Sequence, residues 1–217
     1  MNYGLLEFLN LIGSLGLFLY GMKLMSESLQ KVAGDKMRSI LAAITSNRFM
    51  GILVGLLVTT IIQSSSATTV MVVSFVNAGL LSLVQSIGVI MGANIGTTVT
   101  AWMISLLGFK FSISLIAIPL IGIGFPLMFS KKSSIKSWGE LVVGFSLLFL
   151  GLDFLKNSVP RIDQNPEMFE FLSNYSNMGY PSVLLFLLIG TILTLVIQSS
   201  SATMALTLVM CNQGWIS

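Results

Sequence analysis

The six residues QSSSAT at Gln63–Thr68 organise the rest of the sequence, because the chain contains them twice. The second copy, Gln198–Thr203, is identical and lies 135 positions later. Each copy interrupts a long apolar run, where unpaired polar groups are costly unless they face a cavity or another polar surface. Two identical copies in corresponding places predict a site at the junction of two repeats.

The duplication extends beyond the polar stretch. At the same offset, other residues of the first half also have identical counterparts in the second; among them, Gly55, Thr59, Asn77, Gly79 and Ser82 match Gly190, Thr194, Asn212, Gly214 and Ser217. We therefore divide the chain into a first transmembrane repeat, 1–130, and a second, incomplete repeat, 131–217.

Composition sets the class of protein. Of 217 residues, 54% are hydrophobic and only 9% are charged, whereas soluble domains carry about a quarter charged residues. The sequence therefore predicts an all-α integral membrane protein. With no His and only Cys211, it offers neither a His-based catalytic triad nor a thiolate metal cluster. We expect no enzyme activity, no cofactor and no metal beyond a coupling ion, and the absence of a basic tract with aromatics argues against nucleic acid.

Apolar runs predict the order of segments. The first repeat should contain a span at 5–25, an amphipathic surface helix at 26–48, the interrupted run 49–79, a helix at 80–107 broken at Gly92–Thr98 (GANIGTT), and a span at 111–129. The second should contain a span at 141–155, an extracellular segment at 156–180 and a copy of the interrupted run.

Two interpretations compete for the interrupted run 49–79. It is either one helix with a polar stripe or a re-entrant hairpin of two half-helices that meet at the motif. Basic residues favour the hairpin, because it places both the 23–48 segment and the 131–136 loop in the cytoplasm, as the positive-inside rule requires. The second hairpin then enters from outside, which predicts an inverted-repeat transporter with two re-entrant hairpins and a broken helix.

The polar residues at these breaks suit two kinds of ion. The N-termini of half-helices favour an anion, whereas hydroxyl, amide and unwound carbonyl oxygens suit a hard cation such as Na⁺. An anion and its co-transported cation compensate each other where water is scarce.

The two QSSSAT copies and the GANIGTT segment resemble the type II sodium/phosphate cotransporter family, in its bacterial branch. The resemblance implies a secondary active symporter that moves inorganic phosphate with Na⁺ by alternating access. It implies phosphate binding by Gln63, Ser64, Ser65, Ser66, Gln198, Ser199, Ser200 and Ser201. It implies Na⁺ binding by Thr68, Asn94, Thr97, Thr98 and Thr203.

The resemblance also implies a location and a missing part. We expect a multi-pass protein of the bacterial cytoplasmic membrane, and the positive-inside rule predicts that its N-terminus lies outside. The family pattern has a second GANIGTT segment after the second hairpin, and this chain stops at Ser217 before it. We therefore expect a truncated chain that is completed by a C-terminal half or works as a homo-oligomer.

Two other functions compete with transport. A membrane module that binds an anion or ion as a sensor or assembly subunit would show binding without flux. An intramembrane serine hydrolase would need a base, and the sequence has no His and no Lys within a span near either serine cluster.

Overall fold

The computed structural model describes residues 4–42, 47–110, 113–159, 175 and 178–215. Its secondary structure confirms the all-α prediction for these residues. The helices are α1 (Leu5–Ala42), α2 (Arg48–Ile62), α3 (Ser65–Asn77), α4 (Leu83–Met103) with a π-helix (Ile104–Lys110), α5 (Ser114–Leu127), α6 (Ser133–Ser158), α7 (Tyr180–Ile197) and α8 (Ser200–Asn212).

Within the described part of the chain, four helical segments are long and apolar enough to cross a membrane: Leu5–Ala33, Leu83–Lys110, Ser133–Ser158 and Tyr180–Ile197. The protein is therefore an all-α membrane protein. The apolar helices α2, α3 and α5 are shorter. Since α5 lies in the expected 111–129 span but has only 14 residues, its crossing remains a prediction.

Helix α1 passes without interruption through both the predicted first span and much of the predicted surface helix. Its 38 residues extend about 57 Å at 1.5 Å per residue, nearly twice the thickness of the hydrocarbon core. Part of α1 therefore extends beyond a single crossing. The acidic part of the predicted extracellular segment, 163–170, lies outside the described residues.

Both polar motifs separate two helices. Helix α2 ends at Ile62 and α3 begins at Ser65; helix α7 ends at Ile197 and α8 begins at Ser200. Of the two interpretations of the run 49–79, the single continuous helix is therefore wrong. We call α2 and α3 the first helix pair, and α7 and α8 the second. Whether either pair re-enters the membrane from the face it left remains a prediction.

The predicted break at Gly92–Thr98 is wrong, because α4 is continuous from Leu83 to Met103. Its glycines serve close packing rather than unwinding. A Cβ on Gly92 would overlap the Ile52 carbonyl of α2, and one on Gly96 would lie 2.8 Å from the Thr59 Cβ. On α2, a Cβ on Gly55 would overlap the Val89 carbonyl of α4. Small residues at four-residue intervals let the two backbones touch.

Contacts divide the chain into two compact units, one formed by Tyr20–Leu147 and the other by Met1–Leu19 with Leu148–Ser217. In the first unit, the core includes the buried residues Val54, Val58, Ile62, Val72 and Val89 of α2, α3 and α4. In the second, α6 meets the start of α1, where a Cβ on Gly151 would overlap the Phe18 backbone. The predicted repeat boundary at 130/131 remains a prediction.

An ion pair joins α1 to α6 within the first unit. The Lys31 Nζ lies 2.7 Å from a Glu140 carboxylate oxygen, and the side chains are 53% and 9% exposed respectively. The Glu140 carboxylate is therefore largely removed from solvent with a cation as its partner.

Lys31→Met is expected to destabilise the protein by about 1–3 kcal/mol. This is less than for a fully buried pair, because Lys31 is half exposed. The cause is the uncompensated charge left on Glu140, so adding Glu140→Leu should restore most of the loss. Thermal unfolding of the single and double variants in detergent measures both effects. A double variant no more stable than Lys31→Met would contradict this account.

Candidate functional site

The first polar link, which is Gln63 and Ser64 between α2 and α3, has an unusual backbone. Gln63 adopts a left-handed conformation (φ 59°, ψ 26°) that ends α2, and its N–H donates to the Thr59 carbonyl over 2.7 Å. Ser64 is extended and its Oγ accepts a hydrogen bond from the Ala67 N–H over 3.2 Å, which caps α3. The C-terminal carbonyls of α2 and the N-terminal amides of α3 thus meet across two residues.

The second link, which is Gln198 and Ser199 between α7 and α8, repeats this geometry. Gln198 has φ 58° and ψ 24° and donates its N–H to the Thr194 carbonyl over 2.8 Å. The Ser199 Oγ accepts from the Ala202 N–H over 3.3 Å. The identical sequences therefore fold into the same local structure.

A chain of hydroxyl groups supports each link. The Thr59 Oγ1 donates to the Thr68 Oγ1 over 3.0 Å, and Thr68 donates in turn to the Ser64 carbonyl over 3.0 Å. In the second pair, the Thr194 Oγ1 donates to Thr203 over 3.2 Å, and Thr203 donates to the Ser199 carbonyl over 3.1 Å. Thr68 and Thr203, both predicted Na⁺ ligands, are buried, and each stabilises the backbone of its link by a hydrogen bond to the serine carbonyl.

An unpaired acceptor lies at the first link. Gln63 is 6% exposed, and its Nε2 donates to the Thr60 carbonyl. Its Oε1 is buried without a hydrogen-bond partner among the described residues, and so is the Thr60 Oγ1. An unsatisfied buried acceptor costs about 1–3 kcal/mol, and a bound cation would satisfy it.

The predicted residues of the middle segment lie on different faces of α4. Thr97 is buried and its Oγ1 donates to the Ala93 carbonyl over 3.3 Å. Asn94 and Thr98 are exposed, and the Thr98 Oγ1 donates to the Ile95 carbonyl over 2.7 Å. Thr97 follows Gly96, which touches Thr59, so α4 brings this segment to the first link.

The serines of the two motifs differ in exposure. Ser64, Ser65, Ser199 and Ser201 are partly exposed, whereas Ser66, Ser200 and Gln198 are exposed. The Ser64 and Ser66 Oγ atoms lie 3.3 Å apart. Each link therefore presents hydroxyl groups at the beginning of a helix, where free backbone amides favour an anion.

Sequence reasoning missed several groups at the first link. The Ser26 Oγ of α1 donates to the Ile62 carbonyl over 2.9 Å, and no sequence pattern signals this contact. Thr59 and Thr194 were recognisable, because they match at the offset of the duplication. Thr60 has no such signal, since its counterpart is Leu195.

Comparison with known proteins identifies relatives over most of the chain. The family described as Na+/Pi-cotransporter matches residues 17–157. YqeW of Bacillus subtilis is 31% identical over 92% of this chain and 62% of its own length. YjbB of Escherichia coli O157:H7, whose name proposes inorganic phosphate export, is 28% identical over 98% of this chain.

A mammalian relative matches a shorter region. The sodium-dependent phosphate transport protein 2A of Rattus norvegicus is 43% identical over 45% of this chain and 16% of its own length. The chain spans 38% of the length of YjbB, so it corresponds to part of these relatives. No solved structure matches.

Proposed function

Because the chain belongs to the Na⁺/Pi-cotransporter family, we propose that it contributes to the transport of inorganic phosphate across the bacterial cytoplasmic membrane, coupled to Na⁺. The observation that carries the proposal is the pair of links with matching geometry. At each one, helix carbonyls and helix amides meet beside serine hydroxyls, so each can attract an ion of either sign.

Phosphate binding is assigned to the motif residues predicted from the sequence, Gln63–Ser66 and Gln198–Ser201. Free amides at the start of α3 and α8 and the neighbouring hydroxyls donate hydrogen bonds, which are strong when the acceptor is charged. Membership of a transporter family supports transport as the activity of these residues.

Na⁺ binding is assigned to Thr68, Asn94, Thr97, Thr98 and Thr203. The four threonines donate their hydroxyl hydrogens to backbone carbonyls. Thr68 and Thr203 also accept from Thr59 and Thr194, so each of the four oxygens keeps at least one lone pair for a cation. Gln63 is assigned to both ions, because its unpaired Oε1 can bind a cation, while its Nε2 uses one hydrogen for the Thr60 carbonyl and keeps a second for the anion. The positive-inside pattern supports an N-terminus outside.

Na⁺-dependent uptake tests the proposal. Proteoliposomes that contain the protein should accumulate labelled phosphate with an inward Na⁺ gradient and not with a K⁺ gradient. Ser65→Ala or Ser200→Ala should lower uptake about tenfold, as expected for a lost hydrogen bond to a charged ligand. Ser74→Ala, on the exposed end of α3, is the matched control.

Two outcomes would contradict the proposal. Equal phosphate uptake with Na⁺ and K⁺ gradients would show that transport is not coupled to Na⁺. Saturable phosphate binding without uptake would indicate that the protein is a binding module and not a transporter.

A further inference from the structure

Ser26 of α1 uses its hydroxyl group differently from other helical serines of the protein. A serine inside a helix commonly donates to the carbonyl four residues earlier in the same helix. This is the hydrogen bond made by Ser14, Ser28, Ser74 and Ser146. The Ser26 Oγ instead donates to the Ile62 carbonyl at the end of α2 over 2.9 Å, and Ser26 is 8% exposed. Its hydroxyl is therefore a buried connection between α1 and the start of the first link.

The Ile62 carbonyl belongs to the peptide group that leads into the first link. The same peptide group contains the Gln63 N–H, which donates to the Thr59 carbonyl over 2.7 Å. A trans peptide group is planar, with its C=O and N–H pointing in opposite directions, so the two hydrogen bonds hold this plane at both ends. Rotation of the plane would change the φ of Gln63, which is 59°, and with it the direction of the Gln63 side chain.

Gln30, one turn further along α1, orients the Ser26 hydroxyl. The Gln30 Nε2 donates to the Ser26 Oγ over 3.3 Å. A hydroxyl group has one hydrogen and two lone pairs, so Ser26 accepts from Gln30 and gives its single hydrogen to Ile62. The hydrogen bonds therefore run in one direction, from Gln30 through Ser26 to the end of α2.

Helix α6 fixes α1 on both sides of Ser26. A Cβ on Gly144 of α6 would lie 2.5 Å from the Met25 nitrogen, so the two backbones touch at the residue before Ser26. On the other side of Ser26, Lys31 forms its ion pair with Glu140 of α6. The position of the Ser26 hydroxyl is therefore set by contacts that do not involve α2.

We propose that Ser26 is a positioning residue for the cation site at the first link, an inference that rests on the proposed Na⁺ binding. The Gln63 Oε1 is buried without a hydrogen-bond partner among the described residues, and its position depends on the peptide plane that Ser26 holds. Without the Ser26 hydroxyl, this plane can rotate and Gln63 can leave the left-handed conformation, which is unfavourable for a residue other than glycine. The Oε1 then spends less time where a cation can bind it.

The dependence of thermal stability on Na⁺ in detergent tests the inference. Na⁺ replaces K⁺ at constant ionic strength and without phosphate, and the rise in stability gives an apparent dissociation constant for Na⁺. Ser26→Ala should raise this constant about 3- to 10-fold, as expected for the loss of one hydrogen bond. Ser28→Ala is the matched control, because Ser28 is fully buried but donates to the Leu24 carbonyl of its own helix. Its Na⁺ affinity should equal that of the parent protein.

Two further variants distinguish positioning of Gln63 from a general role in packing. Ser26→Thr keeps a hydroxyl group and should retain most of the Na⁺ affinity that Ser26→Ala loses. Because Ser26 acts through Gln63, adding Ser26→Ala to Gln63→Gly should weaken Na⁺ binding by less than about twofold, whereas independent effects would multiply.

Three results would overturn the inference: equal Na⁺ affinity in Ser26→Ala and the parent protein, an equal loss of affinity in Ser26→Ala and Ser28→Ala, or effects of Ser26→Ala and Gln63→Gly that multiply. A parent protein whose stability does not change when Na⁺ replaces K⁺ would contradict the proposed Na⁺ binding itself, and the inference would fail with it. The parent protein therefore tests the proposed function, and the Ser26 variants test the inference.

Discussion

Gln63→Gly is expected to leave the protein folded and to raise the Na⁺ concentration for half-maximal phosphate transport by about 10- to 100-fold. The substitution removes the Oε1, which is buried without a hydrogen-bond partner among the described residues. An interaction with a charged group contributes about 1.5–3 kcal/mol, and this range corresponds to the stated change in apparent affinity.

The backbone makes glycine suitable for this test. Gln63 has a φ of 59°, and a left-handed conformation costs an ordinary residue about 1–2 kcal/mol that glycine does not incur. That gain offsets the lost hydrogen bond from the Nε2 to the Thr60 carbonyl, which contributes about 0.5–1.5 kcal/mol. Thermal unfolding should therefore remain close to that of the parent protein.

Two transport measurements distinguish an effect on Na⁺ binding from an effect on phosphate binding. Uptake is measured against Na⁺ at saturating phosphate and against phosphate at saturating Na⁺. Asparagine tolerates the same backbone conformation and has a shorter carboxamide. The Na⁺ requirement of Gln63→Asn should therefore lie between those of Gln63→Gly and the parent protein. If only the phosphate dependence of Gln63→Gly and Gln63→Asn changes, Gln63 serves the anion, as the family resemblance implies, and the cation assignment is wrong.

The polar links were predictable from sequence because their signal is local and duplicated. Five polar residues within six consecutive positions between apolar runs cannot lie on one stripe of a helix, and identical repetition indicates a constraint beyond packing. The structure places a helix end and a helix start at both copies. The Gln63 Oε1 was not predictable as an unpaired atom, because its surroundings depend on how α1, α2 and α3 pack.

The predicted break in α4 was wrong because glycine has two different roles in membrane helices. A glycine in a membrane helix permits either unwinding or close contact, and Gly92–Thr98 alone does not distinguish them. The spacing does: Gly88, Gly92 and Gly96 recur every four residues, and α2 carries Gly51 and Gly55 at the same interval. A stripe of small residues on each of two neighbouring helices indicates an interface, whereas a break needs only one irregular site.

Gly92→Ala should have the largest effect on stability, about 3 kcal/mol or more. A Cβ at this position would overlap the Ile52 carbonyl and lie 2.8 Å from the Leu56 nitrogen. Both atoms belong to the backbone of α2, so a rotamer change cannot relieve the collision and the two helices must separate. Thermal unfolding and the fraction of monodisperse protein in detergent measure the loss.

Gly122→Ala on α5 is the matched control. Its Cβ would find no atom within 4 Å, and alanine in a helix interior is better than glycine by about 0.5–1 kcal/mol. The control should therefore be as stable as the parent protein or slightly more. If Gly92→Ala matched it, the close approach of α2 and α4 would be disproved.

The same substitution connects packing to transport. Thr97 follows Gly96, which touches Thr59, and Thr59 donates to Thr68 beneath the first link. Separation of α4 from α2 moves Thr97 away from that link without altering any polar group. Phosphate transport by the fraction of Gly92→Ala that folds should therefore require more Na⁺, whereas Gly122→Ala should keep the Na⁺ dependence of the parent protein. An unchanged requirement in Gly92→Ala would place Thr97 outside the ion site and leave α4 with a packing role alone.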